Sequence, residues 1–214
     1  MNETTPTVFV VDDDDAVRRA LTRLIRSVGY RVEGYGSASE FLESRPCEQG
    51  VGCLVLDVQL PDLNGLDLQR ELNAASESLP IVFITGHGDI AMTVSAMKAG
   101  ATDFLAKPVG EADLLRAIET ALRKSSQALA SRIERGSIQG RLARLTPRER
   151  EVLALLLEGR LNKQVACELG IAEKTIKVHR ARVMEKMEAH SLVELARVTD
   201  KAGIPLSRSQ SAAR

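Results

Sequence analysis

No run of the roughly 18 apolar residues that a membrane helix requires occurs in this chain of 214 residues. The first apolar stretch, Val8 to Val11, is too short for a signal peptide and lacks a basic flank. The expectation is a cytoplasmic protein with no membrane partner. Cysteine is scarce as well: Cys47, Cys53 and Cys167 show neither CxxC spacing nor a histidine at metal-ligand spacing, which excludes a thiolate metal site and leaves reduced thiols. A dinucleotide fingerprint is also missing. Gly34 and Gly36 are not followed by a further glycine at the required spacing, and the first strand-to-helix turn carries acids instead. Net charge is absent too, but only by cancellation. Residues 1–123 hold 11 Lys and Arg against 19 Asp and Glu, a balance of −8, whereas residues 124–214 hold 18 against 10, a balance of +8. Two unlike halves imply separate modules, the basic one suited to nucleic acid or another anionic surface.

What is present in residues 7–123 is an alternation of strand and helix. Val8-Phe9-Val10-Val11 reads as a strand, and Ala16, Val17, Ala20, Leu21, Leu24, Ile25 and Val28 then recur at helical spacing until Gly29. Asp14 or Asp15 is placed to cap that helix. Arg31 to Tyr35 is a second strand, Cys53 to Asp57 a third, Ile81 to Thr85 a fourth and Phe104 to Ala106 a fifth, with helical stretches between them and a last one from Glu111 to Lys124. Five such repeats predict a five-stranded parallel, doubly wound, flavodoxin-like α/β domain.

Parallel sheets hold ligands at the C-terminal ends of their strands. Here the first strand runs into Asp12 and Asp13, the third ends in Asp57, the fourth in Thr85, and the fifth leads to Lys107-Pro108. An aspartate closing a buried strand is poorly solvated unless a positive group sits beside it. Three carboxylates, a hydroxyl and an ammonium on one sheet edge point to phosphoryl chemistry centred on Asp57.

These residues resemble a response-regulator receiver domain. The matching positions are Asp12 and Asp13, the phosphoacceptor Asp57, the switch hydroxyl Thr85, the aromatic Phe104 and the cis-peptide pair Lys107-Pro108. The resemblance implies a Mg²⁺ site formed by Asp12, Asp13, Asp57 and the backbone carbonyl of Gln59, with Asp12 acting through a metal-bound water. It also implies that Lys107 pairs with the phosphoryl oxygens, that Thr85 swings in towards them, and that Phe104 turns into the vacated space. Gln59 and His87 occupy positions where that family varies, and they are expected to govern how fast water reaches the phosphoryl group.

Residues 124–144 form a polar connector in which Leu129 and Ile133 allow a helix that Gly136 and Gly140 weaken. Helix signals sharpen from Thr146. Thr146-Pro147-Arg148-Glu149 is a capping box with proline at the first helical position, Asn162 is placed to cap a second helix, a very short turn at Gly170 leads to a third, and Ser191 is placed to cap a fourth. On a wheel of the third helix Ile176, Val183 and Met187 share a core face. Lys174, Lys177, Val178 and Ala181 lie opposite, flanked by His179, Arg180 and Arg182. A packed back, a small front and basic shoulders suit the major groove of DNA.

Residues 145–203 resemble the LuxR-type four-helix DNA-binding domain, through Leu145-Thr146-Pro147-Arg148-Glu149, Asn162-Lys163-Gln164-Val165-Ala166 and Thr175-Ile176-Lys177-Val178-His179. The departure is Ala172, where that family often has a serine cap. The whole chain is similar to NarL/FixJ-type two-component regulators, nearest the FixJ side. The resemblance implies a receiver at 1–123, a linker at 124–144 and a DNA-binding domain at 145–214. It further implies a sensor histidine kinase as phosphodonor, homodimerisation on phosphorylation, promoter DNA and RNA polymerase as partners, and no enzymatic output. DNA contacts fall to Lys163, Lys174, Thr175, Lys177, Val178, His179, Arg180, Ala181 and Arg182. Two alternatives are a haloacid-dehalogenase-like phosphatase, since Asp12 and Asp14 form a DxD after a strand, and a DNA-binding regulator indifferent to phosphate.

Overall fold

The computed structural model describes residues 5–44, 50–75, 79–86 and 90–203. Its contacts divide the chain into two compact units, residues 1–130 and 131–214. His87 and Cys47 lie outside the described residues.

The first unit contains β1 (Thr7–Val11), α1 (Asp15–Ser27), β2 (Arg31–Tyr35), α2 (Ala38–Ser44), β3 (Gly52–Asp57), α3 (Gly65–Ala74), β4 (Ile81–Thr85), α4 (Ile90–Lys98) and β5 (Asp103–Ala106), followed by the first part of α5 (Glu111–Ala143). All strand pairs are parallel, in the order β2-β1-β3-β4-β5. Alternation along the strands distributes side chains to two cores. Val8, Val10, Cys53, Val55, Val82 and Ile84 pack with Leu21 and Ile25 of α1 and with Leu114 and Ile118 of α5. Phe9, Val11, Leu54, Leu56, Ile81 and Phe83 pack with Phe41 of α2, Leu68 and Leu72 of α3 and Ala96 of α4. Both faces are therefore covered. That is why the strands read as near-continuous apolar runs, and why every residue of β3, Asp57 included, is buried.

The strand order reverses between β1 and β3, which opens a crevice at their C-terminal ends. The surrounding loops are tightly bonded. Asn64 caps α3 through the amide of Leu66, and Asp14 caps α1 through those of Ala16 and Val17. Asp62 accepts from the amides of Ala38 and Ser39, capping α2 from a loop some two dozen residues further along. Desolvation opposes ionisation there, but the hydrogen bonds from Ser39 and Ala38 hold the Asp62 carboxyl down at about 2.

The second unit contains the end of α5, then α6 (Pro147–Leu157), α7 (Asn162–Leu169), α8 (Glu173–Lys186) and α9 (Leu192–Lys201). The α6 capping box is formed by Thr146 and Glu149. Helix α7 is closed by Gly170 in the left-handed conformation, with φ +65°, the first of three residues that lead into α8. Two expectations are corrected. Asn162 is the first residue of α7, Leu161 is its cap, and the Asn162 carboxamide accepts instead from Arg180 at 3.1 Å. Helix α5 also runs unbroken through Gly136 and Gly140 to Ala143. A helical glycine costs about 1 kcal/mol relative to alanine. Burial of Ile138 and packing of Leu142 against Val183, Met187 and Leu195 offset that cost.

Candidate phosphoacceptor pocket and helix-turn-helix face

The pocket is built by strand ends. Pairing of Val11 with Leu56 carries β1 and β3 forward together, so Asp12 and Asp57 emerge on the same edge. On the other side the Lys107 amide donates to the Thr85 carbonyl at 2.6 Å, extending β5 alongside β4. The Lys107-Pro108 peptide is cis. The ammonium of Lys107 then bridges the two acids, 2.7 Å from Asp12 Oδ2 and 2.5 Å from Asp57 Oδ2.

Both carboxylates are further engaged. Asp12 Oδ1 accepts from the Asp14 amide at 2.9 Å, and Asp57 Oδ1 from the Gln59 amide at 3.0 Å. Asp12 is fully buried, Asp57 retains 5% of its surface and Asp13 is exposed. Burial pushes the Asp12 carboxyl above its ordinary value, the hydrogen bond and charge of Lys107 pull it back, and the charge of Asp57 pushes it up again. For Lys107 desolvation favours the neutral amine, but the bonds from Asp12 and Asp57 prevail and its pKa is raised.

Oxygens of Asp12, Asp13 and Asp57 all lie within 4.8 Å of one another. Three carboxylates against one ammonium leave a formal excess of two negative charges, with Asp12 and Asp57 withdrawn from water and Asp13 at the exposed rim. A divalent cation offsets that excess, and an all-oxygen donor set is the kind that hard cations take. The residues present therefore fit a metal.

Thr85 is fully buried at the end of β4. Phe104 is half-buried on β5, its ring centroid 6.0 Å from that of Phe83. Gln59 is exposed just beyond Asp57.

Gly65 was missed as a site residue. It opens α3 with its amide bonded to the Val58 carbonyl at 2.9 Å, and a Cβ there would meet the Asp57 carbonyl oxygen at 2.6 Å. The available signal was a glycine eight residues after Asp57, legible with Pro61 only as punctuation of a loop. Its close approach to β3 requires the packed structure.

In the second unit Ile176, Val183 and Met187 are fully buried. Lys174, Thr175, Lys177, Val178, Ala181 and Arg182 are exposed on α8, and Lys163 is exposed on α7. Val178 leaves 46% of its surface in solvent. Lys177 makes an exposed ion pair with Glu173 at 3.4 Å, a contact of little energetic weight that leaves the ammonium available. His179 and Arg180 are half-buried, and Arg180 is turned towards Asn162 of α7. The base of α8 is tied down by pairings that the sequence pattern does not reveal, although Glu149 itself stands out there as a capping residue. Lys186 reaches the buried Glu149 of α6 at 2.6 Å, and Arg141 of α5 pairs with Glu188 at 2.8 Å while donating to the Met187 carbonyl at 3.2 Å.

Among the described residues no helix is long and apolar enough to cross a membrane. Residues 8–119 match the family described as the response regulator receiver domain, and residues 143–199 match the luxR family of bacterial regulatory proteins. The response regulator protein TmoT of Ectopseudomonas mendocina is 46% identical over 201 residues, 94% of this chain and 91% of that one. The transcriptional regulatory protein FixJ of Azorhizobium caulinodans is 43% identical over 205 residues, 95% and 96% of the two chains. Among solved structures, the response regulator StyR is 50% identical with a TM-score of 0.82, covering 92% of this chain and all of that one. The haloacid-dehalogenase alternative finds no support among these relatives. A parallel sheet with an acidic pocket at its switch point, a helix-turn-helix unit following it along the chain and near-full-length similarity to such regulators lead to one conclusion: the chain belongs to the NarL/FixJ type of two-component response regulators, phosphorylation-activated transcription regulators that join a receiver to a LuxR-type helix-turn-helix domain.

Proposed function

We propose that Asp57 is the phosphoacceptor, that a sensor histidine kinase is its donor, and that promoter binding by α8 is the output. The observation that carries this reading is the Lys107 ammonium bridging Asp12 and Asp57 at the switch-point edge of the sheet. Asp57 presents a buried, oriented carboxylate whose oxygens are held by Lys107 and by the Gln59 amide. One of them forms the bond to phosphorus as the bond from phosphorus to the donor nitrogen breaks. Asp12, Asp13, Asp57 and the Gln59 carbonyl would hold Mg²⁺, which supplies charge neutralisation for the transferring phosphoryl oxygens.

Lys107 is already beside the acceptor and follows the new negative charge as a point cation. A phosphoryl group adds up to about two negative charges and three strong acceptors. The Thr85 hydroxyl is drawn towards it and Phe104 turns inward behind the threonine. That rearrangement reshapes α4, β5 and α5, the face through which two phosphorylated copies pair, and Ile90, Val94 and Met97 of α4 are exposed on it. Paired DNA-binding units then place Lys174, Thr175, Lys177, Val178 and Ala181 in successive major grooves. Lys163, His179, Arg180 and Arg182 hold phosphates, and the bound dimer contacts RNA polymerase.

The test is incubation with acetyl phosphate and Mg²⁺, followed by phosphosite mapping and gel-filtration mass. Wild type is expected to carry label at Asp57 and to dimerise, and Asp57→Asn to do neither. Label retained in the variant would refute the assignment.

A further inference from the structure

We propose that Arg18 is a positioning residue for the metal-binding loop, acting on the backbone of Asp12 and Asp13 rather than on their carboxylates. The proposal rests on the reading of the acidic pocket as a Mg²⁺ site. Arg18 lies one turn into α1, and its guanidinium turns back under the β1–α1 loop. Nη1 donates to the Asp12 carbonyl at 2.6 Å and is 3.5 Å from the Asp13 carbonyl, while Nη2 meets Asp15 Oδ1 at 2.7 Å. Its side chain keeps only 21% of its exposure. Gly34 and Gly36, which carry no phosphate-cradling role, lie along its path. An added Cβ at Gly34 would stand 3.5 Å from Arg18 Cγ, and one at Gly36 would stand 3.8 Å from Nη1.

The geometry separates two jobs that a cation near an acidic cluster can have. Lys107 meets the carboxylate oxygens, so its charge competes with a metal for the same atoms. Arg18 meets main-chain oxygens through Nη1 and turns Nη2 to Asp15, outside the cluster. Its planar fork reaches both targets at once, which an ammonium does not. Other ties on this loop run from the Asp12 amide to the Tyr35 carbonyl at 3.2 Å, from the Asp14 amide to Asp12 Oδ1 at 2.9 Å, from Lys107 to Asp12, and from the first amides of α1 to Asp14. None of these holds Asp13. Asp13 is exposed, so the direction of its carboxylate depends on the backbone that carries it. Removing Arg18 therefore loosens a metal ligand without removing one.

The experiment uses the full chain as wild type, Arg18→Met, Arg18→Lys and Asp15→Ala. Mg²⁺ affinity is measured calorimetrically, and the rate of acetyl-phosphate labelling is measured across Mg²⁺ concentrations. Arg18→Met is expected to weaken Mg²⁺ binding about tenfold, in line with loss of an outer-shell partner of a metal site. Its labelling rate should return to that of wild type at saturating Mg²⁺, a recovery that a general folding defect would not show. Arg18→Lys should be intermediate and keeps the test open if the methionine variant does not fold. Asp15→Ala removes the ion pair alone and should change Mg²⁺ affinity less than threefold. Mg²⁺ affinity unchanged in both Arg18 variants, labelling that stays slow at saturating Mg²⁺, or an Asp15→Ala defect equal to that of Arg18→Met would each overturn the proposal. Wild-type protein that takes up no Mg²⁺ would instead overturn the metal reading beneath it.

Discussion

The two units handle charge in opposite ways. In the receiver, Asp12, Asp57 and Lys107 are drawn into a pocket where each depends on the others, across 50 to 95 residues of chain. On α8 the basic groups Lys174, Lys177 and Arg182 stand in solvent with at most a weak local partner. The first arrangement is suited to a switch, because adding or moving one charge disturbs every neighbour. The second is suited to meeting an external polyanion, because exposed cations lose little hydration until the partner arrives. The DNA-binding unit nevertheless has a buried charge of its own, in Glu149 and Lys186, and it sits at the base of α8 rather than on its reading face.

The contrast can be broken most strongly at Gly65. Gly65→Ala drives a methyl into the carbonyl of Asp57, and neither helix α3 nor strand β3 can yield without disturbing the pocket. A loss of about 3 kcal/mol is expected, the upper end for overpacking. Amide exchange should show it in residues 5–44 and 50–75 while protection in α6 to α9 stays unchanged. Loss of protection in both units together would mean that they do not unfold separately.

Lys186→Met tests the buried charge of the second unit. Leaving Glu149 without its cation should cost about 2 kcal/mol in chemical denaturation of that unit. The Lys186 hydrogen bond, with those from Thr146, holds the Glu149 carboxyl down at about 2, against 4.5 for an ordinary glutamate. A depressed folded-state pKa stabilises at pH values above 4.5, and that contribution is lost as pH falls from 4.5 towards 2. Wild type should therefore lose stability in α6 to α9 through that window. Lys186→Met, already lacking the main cause of the shift, should show a shallower decline.

Gly140→Ala sharpens the picture of α5. The position is exposed and helical, with open space where a Cβ would stand, so a gain of about 1 kcal/mol is expected. Helix content by circular dichroism should hold or rise slightly. The smallest effect concerns the cap of α8. Ala172 has the extended backbone of a cap residue but makes no side-chain bond. Ala172→Ser should add about 0.5 to 1 kcal/mol to the second unit, read as a shift in denaturation midpoint, without altering the basic face.

Much of this was legible from local pattern. Strands of four to six apolar residues alternating with amphipathic helices force a parallel sheet, and in a parallel sheet the residues that end the strands share an edge. Asp12, Asp57, Thr85 and Lys107 could be placed together for that reason alone. The core face of α8 follows from its 3.6-residue period. Other features were not legible, because nothing in local spacing encodes them. Asp62 caps a helix from 23 to 24 residues away, and Arg18 folds back onto carbonyls that every residue possesses. Asn162 looked like a cap by residue type, yet its carboxamide serves Arg180 of the following helix.

Local pattern along the chain settles which elements form, which of their faces are apolar, and which polar residues stand at strand ends or on the exposed side of α8. These are properties of neighbours along the chain, governed by backbone period and side-chain type. Tertiary structure alone decided which acid meets Lys107, that Gly65 lies against Asp57, that α5 continues through two glycines, and that Glu149 and Lys186 anchor the base of α8. Those outcomes depend on how strands register and helices pack across tens of residues. A difference of a few ångströms there separates a hydrogen bond from open water.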